Sequence, residues 1–251
     1  MARFDEYADR YQSIAMERRD GILQMTFHTD GGPLKWGEIP HREFGYAFTD
    51  VGSDPENRVI IITGTGDDYC AEYPVEGVAP RSQPIQWDTI YWEGKRLLLN
   101  LLDIEVPIIS AVNGPALYHA EIPLMSDIVL ASENAAFQDA PHFPAGLVPG
   151  DGVHVVFPLL MGLNRARYFL LMGQTLSARD AQELGLVNEV LPRDRLMARA
   201  WEVAELLARK SPLTLRYTRT VLTMQLKRQM QDMLGYGLQV EGLAALQDSP
   251  R

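Results

Sequence analysis

The sequence predicts an α/β fold in which a core of strands and helices is followed by a helical C-terminal region. Apolar runs of strand length alternate with helix-like segments through most of the chain, and from residue 194 it is almost wholly helix-forming. With 251 residues and 46% hydrophobic side chains, the chain is long enough to bury a large core. We therefore expect an α/β core over residues 1–193 and a helical region over residues 194–251.

The N-terminal half supplies a hairpin, a helix and a buried strand, in that order. In "IAMERRDGILQMTFH", two β-prone runs flank Asp20-Gly21, a dipeptide typical of tight hairpins. The segment "HREFGYAFTDVGSDPEN" predicts a helix that ends in a Gly/Ser/Asp/Pro turn. The continuous apolar run "RVIIITGTG" is typical of a strand that is buried on both faces.

The next elements are a helix, two strands and a largely helical remainder. The segment "DTIYWEGKRLLLNLLDIE" has helical periodicity, and "VPIISAV" and "DIVLAS" are strand-like. In "TLSARDAQELGL", Ser177 and Asp180 have the spacing of a capping box, and Gly185 marks the end of that helix. After a last short strand in "LVNEVLP", two long helical segments complete the chain.

Composition excludes several classes of protein. A formal net charge of -10 argues against a nucleic-acid surface and, more weakly, against binding to an anionic membrane. No apolar run approaches the length of a transmembrane helix, and the start "MARFDEYADRYQ" is too polar for a signal peptide. The single cysteine, Cys70, has no partner for an internal disulfide. These features predict a cytoplasmic protein.

Common catalytic motifs are missing from the sequence. It contains no phosphate loop, no dinucleotide-binding glycine pattern and no G-x-S-x-G segment. It also lacks an H-E-x-x-H segment and paired cysteines, the usual signatures of zinc. Chemistry based on a serine or cysteine nucleophile is therefore poorly supported.

Two histidines stand in unusual loops. His119 interrupts the small, apolar loop "NGPALYHAEIPLMSD", which joins two strands. His142 lies in "FQDAPHFPAGLVPGDG", a loop shaped by prolines and glycines, nine residues before Asp151. A histidine that is oriented by an aspartate is a plausible base for activating water. The alternative is that Asp151 caps the following helix and His142 only shapes the loop.

Five segments in order resemble the crotonase (enoyl-CoA hydratase/isomerase) superfamily. They are "VIIITGTGDDYCAE", "VPIISAVNGPA", "SDIVLASENAAFQ", "GLVPGDG" and "LSARDAQELGLVNEVL", and the resemblance spans residues from about 12 to 210. It implies a crotonase-like spiral of β-β-α units with a helical C-terminal trimerisation region, assembled as trimers or dimers of trimers. Residues 194–251 would then serve oligomerisation and closure of the active site.

The chain departs from the superfamily where thioester chemistry is performed. CoA-dependent members carry "AGAD"-like and "GGG"-like segments whose backbone N–H groups form an oxyanion hole. Here "AEYP" (71–74) and "YHA" (118–120) stand in those places, and the second loop is one residue shorter. Of the two acid/base glutamate positions, one matches Glu121 and the other is occupied by His142. A hydratase that uses two glutamates is therefore disfavoured.

One branch of the superfamily matches these departures. The segments "HAEIP", "DAPHFP", "VPGDGVHVVFP" and "NRARYFLL" resemble the β-diketone hydrolases, which cleave a carbon–carbon bond with water and without CoA. The resemblance implies no metal and no cofactor. It places catalytic residues at His119, His142, Asp151 and Glu241, and substrate-binding residues at Trp36 and His41.

The resemblance also implies a role for each residue. His142, oriented by Asp151, would activate water, with Glu241 as its assistant or as the alternative base. His119 would donate a hydrogen bond to the enolate oxygen of a small diketone. Trp36 and His41 would bind the other carbonyl and shape an apolar pocket.

Simpler interpretations remain open for some residues and for the whole chain. Trp36 would otherwise be a core side chain, His41 a helix N-terminal residue and Glu241 a helix-surface carboxylate. The alternative activity is that of a divergent CoA-thioester hydratase, isomerase or hydrolase. A third possibility is an inactive crotonase fold kept for binding or scaffolding, although the net charge argues against a nucleic-acid partner.

Overall fold

The computed structural model describes residues 2–73 and 83–246. The strands are β1 (Ile14–Arg19), β2 (Ile22–Phe27), β3 (Val59–Gly64), β4 (Ile108–Val112), β5 (Ile128–Ser132), β6 (Ala136–Phe137), β7 (Leu176–Ser177) and β8 (Glu189–Leu191). The helices are α1 (Phe4–Tyr7), α2 (Glu38–Ser53), α3 (Pro84–Asp103), α4 (Glu121–Leu124), α5 (Val153–Met161), α6 (Leu163–Met172), α7 (Ala178–Glu183), α8 (Arg193–Ala208) and α9 (Pro212–Ala245), with a 3₁₀ turn at Phe143–Ala145. The predicted α/β class is confirmed.

The main sheet has six strands in the order β1-β2-β3-β4-β5-β8. Its first pair is antiparallel, and every later pair is parallel. Asp20 and Gly21, between β1 and β2, have φ angles of 52° and 78°, as the turn of a two-residue hairpin requires. The predicted hairpin is therefore confirmed. A second, two-stranded sheet pairs β6 with β7.

Both faces of the main sheet are buried. Along β3, Ile60 and Ile62 belong to the larger apolar core, whereas Val59 and Ile61 belong to a second core on the opposite face. Helix α8 covers that second face through apolar side chains. Because side chains of a strand alternate between faces, a strand covered on both sides must be apolar throughout. The continuous run "VIII" predicts this burial from the sequence.

Helix boundaries follow local capping. α3 begins at Pro84, four residues before the predicted segment, because Gln83 caps it and proline suits the first turn of a helix. In α7, the Oγ of Ser177 accepts the N–H of Asp180, and Gly185 after the helix has a φ of 81°. The predicted capping box at Ser177 and the predicted end of the helix before Gly185 are confirmed.

The last helix, α9, is fixed against the core. The indole N–H of Trp87 on α3 donates to the carbonyl of Leu238 at 2.8 Å. A Cβ atom at Gly242 would lie only 2.0 Å from that indole nitrogen, so the glycine permits the close approach of the two helices. Within the described ranges, no helix combines the length and apolar character needed to cross a bilayer.

Candidate active site

One pocket of about 520 Å³ lies between α2, α3, α9 and the loops that follow β4 and β6. It is lined on one side by aliphatic side chains of α3 and α9, including Leu97, Leu98 and Leu238. The other wall carries histidines and carboxylates. All six residues predicted from the sequence line this pocket: Trp36, His41, His119, His142, Asp151 and Glu241.

His119 is positioned by a loop that is tied to the segment after β3. The side chain of Asn113, at the end of β4, accepts the N–H of Gly64 and donates to the carbonyls of Gly66 and Asp68. Further along the loop, the N–H of Tyr118 donates to the carbonyl of Cys70 at 3.1 Å. The backbone of His119 then takes a φ of 50°. These bonds fix the loop that presents the imidazole to the pocket.

The His119 ring lies between an indole and two carboxyl groups. Its centroid is 3.9 Å from that of Trp36, with the planes tilted by 37°. Nδ1 lies 2.7 Å from Oε1 of Glu121 and 3.4 Å from Oδ2 of Asp151. Burial lowers the pKa of His119 to about 3, against an opposing attraction from Asp151. His119 is therefore a neutral imidazole with one N–H to donate.

Trp36 and His41 form the adjoining part of the wall. Trp36 is almost fully buried, and its ring meets that of His41 edge-on at a centroid distance of 6.1 Å. His41 lies in the first turn of α2, and its Nδ1 is 2.9 Å from Oε2 of Glu93 on α3. Both predicted substrate-binding residues therefore face the pocket, and His41 is held in place by a carboxylate from another helix.

His142 is the centre of a group of carboxylates. Its Nδ1 lies 2.5 Å from Oδ1 of Asp139, and its Nε2 lies 3.4 Å from Oε1 of Glu241 and 3.5 Å from Oδ2 of Asp151. The sequence assigned the orientation of the ring to Asp151, which the geometry corrects to Asp139. The reason is local, because Asp139 precedes His142 by three residues in the same bend. Asp151 instead lies between the two histidines, near Nδ1 of His119 and Nε2 of His142.

The charge state of His142 is opposite to that of His119. Burial lowers the pKa of His142, but the attraction of Asp151 and the hydrogen bonds with Asp139 and Glu241 outweigh that effect. The pKa is held well above its usual range, so the side chain is an imidazolium at neutral pH. The pocket thus holds a neutral and a cationic histidine on either side of one aspartate.

Sequence reasoning missed two of the carboxyl groups that hold the histidines, and gave a third no such role. Asp139 orients His142 and Glu93 holds His41, and neither was proposed as a site residue. Glu121 matched a hydratase glutamate in the sequence, but its side chain bonds His119. A carboxylate within three residues of a loop histidine is a usable sequence signal for Asp139 and Glu121. No such signal exists for Glu93, which is 52 residues away from His41 in the chain.

Three of these groups have the composition of a possible metal site. One potential ligand atom each from His119, Glu121 and Asp151 lies within 4.8 Å of the others. The 2.7 Å separation of His119 Nδ1 and Glu121 Oε1 is the length of a hydrogen bond, so a shared proton accounts for the pair. We assign no metal to this group.

Comparison with known proteins places this chain in an enzyme family. The sequence model of the enoyl-CoA hydratase/isomerase family matches residues 18–243. A carnitinyl-CoA dehydratase from Proteus mirabilis is 29% identical over 205 residues, which are 80% of this chain and 77% of that protein. A carnitinyl-CoA dehydratase from Salmonella typhi is 33% identical over 174 residues, 68% of this chain and 65% of that protein.

Two solved structures are similar to this chain over nearly its whole length. A β-diketone hydrolase from the cyanobacterium Anabaena sp. PCC 7120, bound to (S)-3-oxocyclohexyl acetic acid, superposes with a TM-score of 0.95 and 51% identity, covering 96% of this chain and 97% of that one. An enoyl-CoA hydratase/isomerase from Mycobacterium paratuberculosis gives a TM-score of 0.86 and 26% identity, covering 96% of each chain. The chain therefore belongs to the enoyl-CoA hydratase/isomerase family, the crotonase superfamily, and within it resembles the β-diketone hydrolases.

Proposed function

We propose that this enzyme hydrolyses a carbon–carbon bond of cyclic or bicyclic β-diketones by a retro-Claisen reaction and releases keto acids. The observation that carries the proposal is the meeting of two histidines at Asp151, whose Oδ2 lies 3.4 Å from Nδ1 of His119 and 3.5 Å from Nε2 of His142. The similar hydrolase from Anabaena supports it, because the acid bound there is a cyclic ketone with a carboxylate side chain. Opening a bicyclic β-diketone with water gives a product of that type.

The reaction needs a base, a donor for negative charge and a source of protons for carbon. Water adds to one carbonyl and forms a tetrahedral intermediate. The intermediate becomes a carboxylic acid as the bond to the central carbon breaks, and the second carbonyl takes the electron pair as an enolate. A proton then returns to the central carbon. One water molecule is consumed, and no electrons enter or leave.

We assign the base to Glu241. The sequence offered His142 for this role with Glu241 as the alternative, but an imidazolium has no lone pair with which to accept a proton. Oε1 of Glu241 is 3.4 Å from Nε2 of His142, so the two groups act together. Glu241 takes the proton of water, and the adjacent cation stabilises the negative charge on the tetrahedral intermediate.

His119 is assigned as the donor to the enolate oxygen. A neutral imidazole has one N–H to donate, and the ring of His119 is packed on that of Trp36 with the centroids 3.9 Å apart. His41, held by Glu93, and Trp36 bind the other carbonyl, and the aliphatic side chains of α3 and α9 contact the ring of the substrate. No cofactor is needed in this scheme, because the second carbonyl accepts the electron pair.

The same loop disfavours a CoA thioester. The backbone N–H of Tyr118 is occupied by the carbonyl of Cys70, and the Tyr118 ring packs on Tyr73 with their centroids 5.4 Å apart. By the family resemblance, Tyr118 and His119 stand where thioester-binding members carry glycines. We therefore do not expect the chain to bind an acyl thioester in the family's usual position.

Paired substrate assays test the proposal. The protein is incubated with the bicyclic β-diketone whose opening gives (S)-3-oxocyclohexyl acetic acid and, separately, with crotonyl-CoA. We expect the diketone to be converted to a keto acid that carries one oxygen atom from ¹⁸O-labelled water, with crotonyl-CoA unchanged. Turnover of crotonyl-CoA alone would contradict the proposal and favour the thioester alternative.

Replacing His119 by Ala tests its role as a donor. We expect kcat on the diketone to fall by about 10²-fold or more, because one such donor is worth roughly 3 kcal/mol when it meets charge in the transition state. The measurement is steady-state kinetics alongside His154→Ala, since His154 lies outside the pocket lining. Unchanged turnover in His119→Ala would remove this residue from the mechanism.

We also propose that the chain assembles as a homotrimer or as a dimer of trimers. Apolar side chains are exposed along α9, including Tyr217, Val221 and Leu222, and on α6, including Leu171 and Met172. Exposed apolar surface of this extent is typical of an interface between subunits. Sedimentation velocity should give three or six times the chain mass of 28.2 kDa. A Leu222→Glu substitution should shift the protein toward the monomer, and a monomeric wild type would contradict the assignment.

A further inference from the structure

Glu121 is a fully buried carboxyl group in the first turn of α4. Its Oε1 lies 2.7 Å from Nδ1 of His119, whereas its Oε2 has no hydrogen-bond partner among the described residues. No lysine or arginine of the described ranges pairs with it. The side chain is thus removed from water with one oxygen bonded and the other unsatisfied.

The groups around Glu121 are mainly acidic. Asp151 approaches the same Nδ1 of His119 at 3.4 Å, and Asp139 adds negative charge from the neighbouring loop. His142 is the cation that acts on this site, and it is already shared by Asp139, Asp151 and Glu241. Tyr69 and Cys70, both buried and neutral, also lie close enough to Glu121 to interact with it electrostatically.

An ionised Glu121 would be costly at this position. It would place an uncompensated negative charge beside Asp151, and its free Oε2 would lose the solvation that a carboxylate oxygen requires. A neutral acid removes the first penalty and reduces the second, because its unbonded oxygen is then an uncharged carbonyl. Burial and the proximity of Asp151 accordingly raise the pKa of Glu121 well above its usual range.

The proton of a neutral Glu121 has one good acceptor. Nδ1 of His119 is within hydrogen-bond distance of Oε1, and a neutral imidazole has a lone pair on one ring nitrogen. If Nδ1 instead carried the hydrogen, the acid proton would have to lie on the unsatisfied Oε2. Only a hydrogen on Oε1 that is donated to Nδ1 satisfies both partners.

We propose that Glu121 is a positioning residue that remains protonated in the folded enzyme and donates its hydrogen to Nδ1 of His119. His119 is thereby fixed in the tautomer that carries its own hydrogen on Nε2, the ring nitrogen not engaged by Glu121 or Asp151. The effect on turnover rests on the proposed function, because only a diketone enolate requires this donor. The protonation state itself does not depend on any substrate.

The first test compares two substitutions at one position. In Glu121→Gln the amide N–H replaces the acid O–H as donor to Nδ1, whereas Glu121→Leu removes the donor at similar size. We expect kcat on the diketone to stay within about threefold for Gln and to fall about 10²-fold for Leu. Glu183→Gln, an exposed change on α7, is the matched control. A loss in Glu121→Gln as large as in Glu121→Leu would show that an ionised carboxylate is needed and would overturn the proposal.

The second test needs no substrate. The unfolded chain ionises Glu121 near the ordinary glutamate pKa of 4.5, but the folded chain does not, so this group lowers wild-type stability as pH rises above that value. Glutamine does not ionise, so its contribution to stability does not change with pH. The denaturant midpoint of Glu121→Gln minus that of wild type should therefore increase as the pH is raised from about 5 to about 8. A difference that is constant or falls with pH would overturn the proposal even if diketone turnover were confirmed.

¹⁵N NMR of protein labelled in its histidine rings measures directly which ring nitrogen carries the hydrogen. The signals of His119 are those missing from the spectrum of His119→Ala. We expect Nε2 of His119 to be protonated and Nδ1 to be a hydrogen-bonded acceptor at neutral pH. A proton on Nδ1 would overturn the proposal. Because this result is independent of activity, failure of the diketone assay and failure of this inference are distinguishable.

Discussion

Glu241→Gln is expected to lower kcat on a bicyclic β-diketone by about 10²- to 10⁴-fold, the usual range for loss of a general base. Glutamine has nearly the same shape but does not accept the proton of water. Glu241 is 4% exposed, and its Oε1 faces Nε2 of His142, so no bulk water replaces it as the base. KM should change little, because the group acts on water and not on the diketone.

Steady-state kinetics across pH, with circular dichroism to confirm folding, would measure this effect. The matched control is again Glu183→Gln on the surface of α7, which should behave as wild type. If Glu241→Gln retained wild-type turnover, the proton of water would have to pass to another group, and a neutral His142 would be the base.

Asp139→Asn is expected to lower kcat by about 10³-fold, although Asp139 is not among the residues that line the pocket. The carboxylate accepts the Nδ1–H of His142 at 2.5 Å and is one of the groups that keep this imidazole cationic. An amide either leaves that N–H with a weaker acceptor or turns its own N–H toward it. Both outcomes disturb the orientation and the charge of a ring on which the reaction depends.

The pH profile separates this role from a structural one. The pKa of His142 in the folded protein lies above the ordinary histidine value of 6.5, so the cation, and the activity that needs it, are present below that raised pKa and are lost as pH rises through it. Removal of the Asp139 carboxylate lowers the pKa of His142. The decrease of kcat at alkaline pH, the alkaline limb of the profile, should therefore begin at a lower pH. Asp9→Asn, an exposed change, should leave the limb in place. A uniform loss of rate with an unshifted limb would indicate misfolding instead of altered charge.

The parts of the fold that follow from short-range rules were predictable from the sequence. The Asp20-Gly21 hairpin, the doubly buried strand β3 and the Ser177 cap each depend on a few consecutive residues. The predicted gathering of six residues in one pocket came from family resemblance, since spacing alone left His142 and Asp151 open to a structural interpretation.

The arrangement inside the pocket was less predictable, for physical reasons. Whether Asp139 or Asp151 holds Nδ1 of His142 depends on how one loop turns, and both spacings are compatible with a contact. Glu93 reaches His41 only because α2 and α3 pack side by side. The opposite charge states of His119 and His142 arise from desolvation and from the number of nearby carboxylates, and neither is encoded in a local motif.

The left-handed backbone of His119, with its φ of 50°, has an energetic consequence. Glycine adopts this conformation freely, whereas a residue with a side chain gives up about 1–2 kcal/mol there. That is a modest part of the roughly 5–15 kcal/mol by which a domain is usually stable. The loop therefore holds this imidazole at an energetic cost that the rest of the fold can offset, and the strain falls on a residue assigned a role in turnover and not on the packing of the core.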